Sequence, residues 1–166
     1  WMANLDATEI TRLTNTGGFK SELQWTPDRA HVKFIMGKCA ILVNIINLSI
    51  EPILCANWAD YLASFEISPN GEQVAITTSD GLFILPYDLN TLRGIKRQDQ
   101  LLNAQGCLKY TEREIKTVRW SADGKMLASV IVGSEAGRSV DLVWVAAITC
   151  GQKPVDVDLF PGARFT

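Results

Sequence analysis

The sequence predicts an all-β fold assembled from repeated units of short antiparallel strands. The main observation is a turn motif that occurs three times, in which an apolar residue precedes a polar residue, then Pro or Ala, then Asp or Asn. Its copies are Trp25–Asp28, Ile67–Gly71 and Trp120–Gly124. Pro fixes φ at the second turn position, and the Asp or Asn side chain hydrogen-bonds to nearby backbone. Each motif therefore predicts a tight turn between two strands.

Runs rich in β-branched and large apolar residues follow each turn, as strands require. The predicted second strands are His31–Met36, Val74–Thr77 and Met126–Val132. After a short polar or glycine-containing break come the predicted third strands, Cys39–Ile45, Leu82–Tyr87 and Val140–Val145. A weaker fourth strand leads on to the next unit, so each unit contains four antiparallel strands.

Four antiparallel strands in a unit of roughly 40–50 residues is the plan of a β-propeller blade. The interval from Asp28 to Asn70 is 42 residues, and that from Asn70 to Asp123 is 53. The excess falls at residues 95–109, for which we predict an insertion on one face of the second blade, or equally a long final strand with a loop. A β-sandwich is the alternative architecture, but three turns in phase favour the propeller. Apolar residues recur at the 3.6-residue spacing of a helix only over Lys96–Leu108.

Composition limits the classes of function. The chain has 166 residues, of which 47% are hydrophobic and 20% charged, as in an ordinary globular domain. The net charge of −2 provides no overall attraction to nucleic acid or anionic lipid. The longest apolar stretch, Cys39–Ile50, is too short to span a bilayer. Because the first residue is Trp1, we expect a processed protein or a piece of a longer one.

The N-terminal part resembles the TolB-type propeller repeat. In that repeat a strand leads into an "rrLT" step and the next blade opens with "W-S-P-D-G"; Ile10–Asn15 and Leu23–Asp28 match these two steps. Arg29 stands where Gly is usual, and Ala122 and Ile67 replace Pro and Trp. The resemblance, which extends more loosely to WD-repeat-like propellers, implies a bacterial, often extracytoplasmic protein that acts as a scaffold or receptor.

We therefore predict a single propeller segment over the whole chain. Its parts are the end of a blade (1–22), a blade (23–60), a blade with an insertion (61–109), a blade (110–160) and a tail (161–166). Closed propellers have 4–8 blades, and about three and a half blades leave exposed sheet edges. The segment is thus expected to be incomplete alone and to need a protein partner or self-association to close the ring.

No catalytic, cofactor-binding or metal-ligating residue emerges from the sequence. The single histidine, His31, stands at a strand start, and no nucleophile elbow or phosphate-binding loop is present. Asp28, Asp80 and Asp123 occur in turns, where carboxylates cap backbone groups. The sequence therefore predicts a protein that is not an enzyme.

The four cysteines have no metal-binding spacing, but two of them are predicted to face each other. If the third and fourth strands of the first full blade form a hairpin centred near Asn47, Cys39 lies opposite Cys55, within the range of a disulfide. A bridge would indicate an oxidising compartment, periplasmic or extracellular. Two buried free thiols in a cytosolic protein are the alternative.

Two further sets of residues stand out. Arg93, Lys96 and Arg97 cluster at the insertion and form a possible partner-binding loop, because insertions in repeat proteins often lie on the binding face. A solvated loop is the alternative, and the interleaved Asp99 disfavours a nucleic-acid contact. Trp25 and Trp120, at equivalent positions of the repeat, are expected in the core.

Three functions fit these observations. The first is a non-enzymatic protein-binding or scaffold module. The second, implied by the resemblance, is the gating propeller of a prolyl-oligopeptidase-like serine peptidase whose catalytic domain lies elsewhere. The third is a structural subunit of a larger assembly.

Overall fold

A computed structural model describes residues 1–104, 107–110, 114–135, 138–147 and 155–156. The predicted tail (161–166) and Cys150 lie outside these residues. Three four-stranded antiparallel sheets follow one another along the chain, preceded by a two-stranded sheet. In every sheet, strands adjacent in sequence are paired, so each is a simple meander.

The strands have the following bounds. The two-stranded sheet consists of β1 (Met2–Ala3) and β2 (Ile10–Thr11). The first blade consists of β3 (Ser21–Trp25), β4 (His31–Met36), β5 (Cys39–Asn44) and β6 (Ile50–Cys55). The second blade consists of β7 (Leu62–Ile67), β8 (Gln73–Thr78), β9 (Gly81–Pro86) and β10 (Cys107–Tyr110). The third blade consists of β11 (Ile115–Trp120), β12 (Met126–Glu135), β13 (Arg138–Ala147) and β14 (Val155–Asp156).

The predicted all-β fold of four-stranded blades is confirmed. The second blade has a neighbouring blade on each face, and so its middle strands are apolar at consecutive positions rather than at alternate ones. In β8, for example, every residue from Val74 to Thr78 is buried.

The three turn motifs form the same hydrogen bonds. The side-chain oxygen Oδ1 of Asp28 accepts from the backbone N of Ala30 at 2.9 Å. Asn70 accepts in the same way from Glu72 at 3.2 Å, and Asp123 from Lys125 at 3.1 Å. The expected capping by Asp28 and Asp123 is thus observed. At the next position Gly71 and Gly124 have φ of 74° and 69°, and Arg29, the departure from the repeat, has φ of 58°.

The three turns lie side by side at one end of the blades. A Cβ built on Gly71 would lie 3.5 Å from Cβ of Pro27, and one on Gly124 would lie 3.8 Å from Cδ of Pro69. Since the strands are antiparallel, the β5–β6 and β9–β10 connections emerge at this same end. We call this end the turn face; it comprises residues 26–30, 45–49, 68–72, 87–104 and 121–125.

Two apolar clusters join neighbouring blades. The larger lies between the first and second blades and includes Leu42, Ile53, Phe65 and Phe83. The cluster between the second and third blades contains Ala75, Leu82, Ile84, Ile115, Val118, Leu127 and Ile131. Burial of apolar side chains between blades therefore holds successive sheets together.

The β9–β10 connection forms two short helices, α1 (Leu89–Gly94) and α2 (Gln98–Asn103). The sequence predicted no helix over residues 89–94, and this prediction is wrong. Asp88 caps α1, its Oδ2 accepting from the backbone N of Thr91 at 2.9 Å, and Gln100 Oε1 accepts from the backbone N of Arg97 at 3.0 Å. The helical period over Lys96–Leu108 includes α2, whereas α1, with six residues, is too short to show such a period.

The expectation for the two tryptophans holds only in part. Trp120 is half-buried against the cluster between the second and third blades. Trp25 is 53% exposed, so its assignment to the core is wrong. The reason is positional, because Trp25 lies on the face of the first blade that points away from the second blade.

Candidate functional site

The hairpin loop between β5 and β6 presents apolar side chains at the turn face. Ile46 is 84% exposed, and Leu48 and Ile50 are exposed as well. Asn44 orders the loop, because its Oδ1 accepts from the backbone N of Ile46 at 2.9 Å and of Asn47 at 3.1 Å. Leu48 has φ of 59°, a left-handed conformation that a leucine rarely adopts. The loop thus holds an apolar tip in one defined conformation.

The insertion is anchored beside this tip. Leu92, Ile95 and Leu101 are buried in the cluster between the first and second blades. Arg93 Nη2 contacts Glu51 Oε2 at 2.6 Å, which connects α1 to the start of β6. The two helices are therefore held in a fixed position next to the apolar tip.

The structure places the three sequence-predicted basic residues on α1 and in its connection to α2, and pairs two of them. Arg93 is bound to Glu51, and Arg97 Nε lies 3.0 Å from Asp99 Oδ1. Lys96 is exposed and forms no ion pair within the described part of the chain. The net basic character of the loop thus comes from Lys96, and its role in binding a partner stays a prediction.

A depression of about 370 Å³ lies along the two helices, with Thr91, Arg97, Gln100 and Asn103 among its lining residues. Ligand pockets of this size are normally concave and mainly apolar. This depression is open and about half polar, so it has the character of a contact surface rather than of an enclosed ligand pocket.

The histidine is held by Asp28 of the turn face and by Asn44 at the end of β5. Its Nδ1 lies 3.1 Å from Asp28 Oδ2, and its Nε2 lies 3.3 Å from Asn44 Nδ2. His31 thus connects the β3–β4 turn to the residue that orders the apolar tip. Within the described ranges, no group of three or more His, Cys, Asp or Glu residues has the arrangement of a metal site.

A disulfide joins Cys39 to Cys55, with a Cα–Cα distance of 4.1 Å. The two residues are direct cross-strand partners of β5 and β6. The bridge lies at the end of the blade opposite the turn face and closes the hairpin that carries the apolar tip.

Sequence reasoning missed a network of charged side chains that crosses all three blades. Lys33 on β4 is fully buried, and its Nζ lies 3.8 Å from Glu66 Oε1 on β7. Arg119 Nη1 on β11 contacts Glu66 Oε1 at 2.7 Å and Glu22 Oε2 at 2.8 Å. Lys33 Nζ has no hydrogen-bond partner within the described ranges. The network therefore places one incompletely paired cation between the first and second blades.

Burial and charge shift the pKa values of this network in opposite directions. Burial lowers the pKa of Lys33 to about 8, despite the nearby carboxylates of Glu66 and Glu22. Burial raises the pKa of Glu66 to about 6, although Lys33 and Arg119 favour its charged form. For Glu22 burial opposes ionisation, but the hydrogen bond and charge of Arg119 outweigh it and lower the pKa.

One signal in the sequence could have revealed the network. Strand pairing places Lys33 opposite Gln24, Ala75 opposite Glu66 and Ala128 opposite Arg119. Alignment of the three repeats thus sets Lys33 against Ala75, which is buried, and Ala128, which is exposed. A charge at a position that is otherwise small and apolar requires a partner.

Replacing Lys33 with Met should flatten the pH dependence of stability between pH 8 and about 10.5. The folded protein has a Lys33 pKa of about 8, against 10.5 for the free side chain. Between these values the unfolded chain binds more protons, so this group makes the free energy of unfolding rise with pH. Urea unfolding from pH 7 to 10 should show a wild-type-minus-K33M difference that grows with pH. A constant difference would contradict the shifted pKa.

The strand topology and the three equivalent turns define the class as a β-propeller, of which this chain is a part. Among solved structures the chain is similar to the putative TolB from Agrobacterium tumefaciens, with a TM-score of 0.60 and 17% identity over 88% of this chain and 48% of that one. The chain therefore has a TolB-like β-propeller fold and spans about half the length of that structure.

Two other likenesses are weaker. TolB from Acinetobacter baumannii gives a TM-score of 0.47 at 17% identity, over 88% of this chain and 45% of that one. The tricorn protease gives a TM-score of 0.48 at 8% identity, over 80% of this chain and 14% of that one. No family model and no curated protein matches the sequence. Among the described residues, no helix is long and apolar enough to cross a membrane.

Proposed function

We propose that this chain is a non-enzymatic protein-binding module that holds a protein partner on its turn face. The observation that carries the proposal is the apolar tip of the β5–β6 hairpin. Ile46, Leu48 and Ile50 are exposed together there, and Asn44 fixes their loop through its backbone hydrogen bonds. Grouped exposed apolar side chains are typical of interaction sites. A preformed loop also loses less conformational entropy on binding.

The insertion supplies the polar surroundings of this site. Interfaces combine an apolar centre with a polar rim. In the proposal Arg93 and Arg97 shape the rim through their ion pairs with Glu51 and Asp99. Lys96, the exposed lysine between them, contacts the partner directly and accelerates association with an acidic surface.

The proposal includes a bacterial, periplasmic or extracellular location. The TolB-like fold and the disulfide between Cys39 and Cys55 support it, because disulfides persist in oxidising compartments. Closure of the propeller by a protein partner or by self-association is a further part of the proposal, and so are the blade boundaries given above.

Two other functions are possible, the first implied by the resemblance and the second by a propeller segment that is incomplete alone. A gating propeller of a peptidase would bind its own catalytic domain rather than a separate partner. A structural subunit would be stable only inside its assembly. Both stay predictions, and the experiment below separates them from the binding module.

The test selects polypeptides that bind the chain and then maps their binding site with variants of the turn face. A phage-displayed library of fragments of bacterial periplasmic proteins is selected on the folded chain. Binders are then measured against Ile46→Asp and Leu48→Asp, which place a charge at the apolar tip. We expect affinity to fall at least about tenfold, equivalent to about 1.4 kcal/mol. Lys96→Ala should mainly slow association.

The matched control is Asn57→Asp, an exposed substitution beyond β6 at the opposite end of the first blade. Circular dichroism and thermal unfolding must show that all variants are folded. Binders that respond equally to Asn57→Asp and Ile46→Asp, or to neither, would contradict the assignment of the turn face. Failure to fold without another polypeptide would favour the structural subunit.

A further inference from the structure

The side-chain amide of Asn44 connects the apolar tip to the single histidine of the chain. Its Oδ1 accepts hydrogen bonds from the backbone N of Ile46 at 2.9 Å and of Asn47 at 3.1 Å. Its Nδ2 lies 3.3 Å from Nε2 of His31 on the neighbouring strand β4. Because two backbone donors fix the oxygen, the orientation of the amide is determined, and its NH2 group faces the histidine.

These contacts require one particular form of the imidazole. Nδ1 of His31 lies 3.1 Å from Oδ2 of Asp28, and because an ionised carboxylate only accepts hydrogen bonds, Nδ1 carries a proton and donates to it. In the neutral ring Nε2 then has a free lone pair, which accepts from Nδ2 of Asn44. The neutral Nδ1–H tautomer therefore matches donors to acceptors from Asp28 through His31 and Asn44 to the loop.

Protonation of the ring breaks this match at Nε2. An imidazolium donates from both nitrogens, so its Nε2–H faces the NH2 group of Asn44, donor against donor. Turning the amide over presents Oδ1 to His31 but sets Nδ2 against the backbone N–H groups of Ile46 and Asn47. The amide oxygen can therefore bind either the loop or the imidazolium. Hydrogen bonds from a charged donor are roughly twice as strong as neutral ones, so the imidazolium is the favoured partner.

We infer that His31 is a pH-sensitive switch of the turn face, whose protonation releases Ile46 and Asn47 from Asn44 so that the apolar tip loses its defined conformation. The tip is ordered at neutral pH and binds a partner there. It binds more weakly at acidic pH, because a mobile loop loses more conformational entropy on binding. The inference rests on the proposed function, since it describes the regulation of the same site.

The rest of the loop does not depend on this amide. The backbone N of Asn44 donates to the backbone O of Ser49 at 3.0 Å, and the backbone N of Leu48 donates to the backbone O of Asn44 at 3.0 Å. Neither bond involves a side chain. The hairpin therefore stays closed on protonation, and the change is confined to residues 46 and 47.

The groups that surround the imidazole leave His31 as the titrating group of this contact. Among the residues that the structure describes, Asp28 is the only charged side chain in contact with His31. Burial opposes its ionisation, but the hydrogen bonds of the turn outweigh this and lower the pKa of Asp28. Tyr87 in the β9–β10 connection acts on this carboxylate, and burial raises the pKa of Tyr87 to about 12. Arg93 and Glu51, which also act on Tyr87, are paired with each other.

The test is an NMR titration of the full chain from about pH 8 to about pH 5, the range in which histidines change charge. The Cε1 signal of His31 reports its protonation, and ¹⁵N relaxation of the Ile46 and Asn47 amides reports the order of the tip. We expect the order parameters of both amides to fall from about 0.85 to below about 0.6, with the same midpoint as the His31 signal. His31→Gln should abolish this change, whereas an effect of Glu66, whose pKa is about 6, would persist in that variant.

The matched control is Asn44→Asp, which keeps the shape of the side chain and reverses the expected result. A carboxylate at this position still accepts from the backbone N of Ile46 and Asn47, and its second oxygen accepts from the imidazolium. The order parameters of this variant should therefore stay at about 0.85 down to about pH 5. An equal loss of order in Asn44→Asp would overturn the inference, because the amide of Asn44 would then not be the cause.

The outcomes separate the switch from the proposed function. A loss of order in the wild-type chain but in neither variant supports the switch, and an ordered tip beside a protonated His31 overturns it. Selected binders that Ile46→Asp weakens about tenfold, but that bind equally at about pH 7.5 and about pH 5.5, would leave the proposed function standing and overturn its regulation. Binders that ignore Ile46→Asp would contradict the proposed function, and the titration alone would then support or overturn the switch.

Discussion

Replacing Glu66 with Ala should lower the free energy of unfolding at pH 7 by roughly 1.4 kcal/mol. The substitution leaves Lys33 buried, with its nearest carboxylate removed. Arg119 keeps its contact with Glu22 at 2.8 Å, so the loss falls mainly on Lys33. Breaking a buried ion pair costs more than the pair contributes, because one charge remains uncompensated. Urea unfolding followed by circular dichroism measures the change.

An upper limit to this loss follows from the chemistry of lysine. Lys33 can release its proton instead of remaining charged, and with a pKa of about 8 in the folded protein this release costs only about 1.4 kcal/mol at pH 7. We therefore expect the effect of Glu66→Ala to shrink as the pH rises above 8, where the folded protein already favours neutral Lys33. An effect that is independent of pH would mean that another contact of Glu66 is responsible.

The Lys33→Met variant is the background that shows whether the loss from Glu66→Ala depends on Lys33. The other two blades carry alanine at this position, so the fold does not require a charge there. In the Lys33→Met background Glu66→Ala should cost much less, because no buried cation is left unpaired. Glu72→Ala, in the exposed part of the neighbouring turn, should change stability by less than about 0.5 kcal/mol. Equal costs of Glu66→Ala in both backgrounds would show that Lys33 and Glu66 are not coupled.

The repeated turns made most of the fold predictable. A turn motif depends on local chemistry, and the Asp28, Asn70 and Asp123 side chains form their bonds within the motif itself. Three such turns in phase define three meanders, and the apolar runs after them define the buried strands. Pairing of Cys39 with Cys55 likewise follows from the register of a single hairpin.

What the sequence did not reveal depends on contacts between blades. The exposure of Trp25 follows from what covers one face of the first blade, and this cannot be read from the repeat in which it occurs. Helix α1 is stabilised by the Asp88 cap and by Leu92 at a blade interface, not by a periodic pattern of its own. The role of Lys33 appears only when three repeats are aligned by strand pairing.

The candidate site was missed for a related reason. The apolar tip consists of Ile46, Leu48 and Ile50, which in sequence resemble the buried strands around them. The sequence predicted a hairpin centred near Asn47, but the exposure of its apolar side chains follows from the conformation that Asn44 and the left-handed backbone at Leu48 give to the loop. Arg93 was recognised as basic, but its pairing with Glu51 joins residues 42 positions apart and is invisible before the fold is known.

Removing the disulfide with Cys39→Ser and Cys55→Ser should lower the free energy of unfolding by about 3 kcal/mol. The bridge spans a sequence separation of 16 residues. A crosslink over a loop of this length stabilises mainly by restricting the unfolded chain. Chemical unfolding with and without a reducing agent measures the effect. The reducing agent should destabilise the wild-type protein and leave the double variant unchanged.

The position of the bridge gives this experiment a second readout. Cys39 and Cys55 lie at the end of the hairpin opposite the apolar tip, and the ladder between β5 and β6 separates the two. The bridge therefore contributes to the stability of the whole hairpin rather than to the conformation of the tip, which Asn44 fixes locally. We expect the folded double variant to retain the affinity of the turn face for its selected binders. If reduction changed neither stability nor the alkylation of Cys39 and Cys55 in peptide maps, the two residues would be free thiols and the case for an oxidising compartment would lose its support.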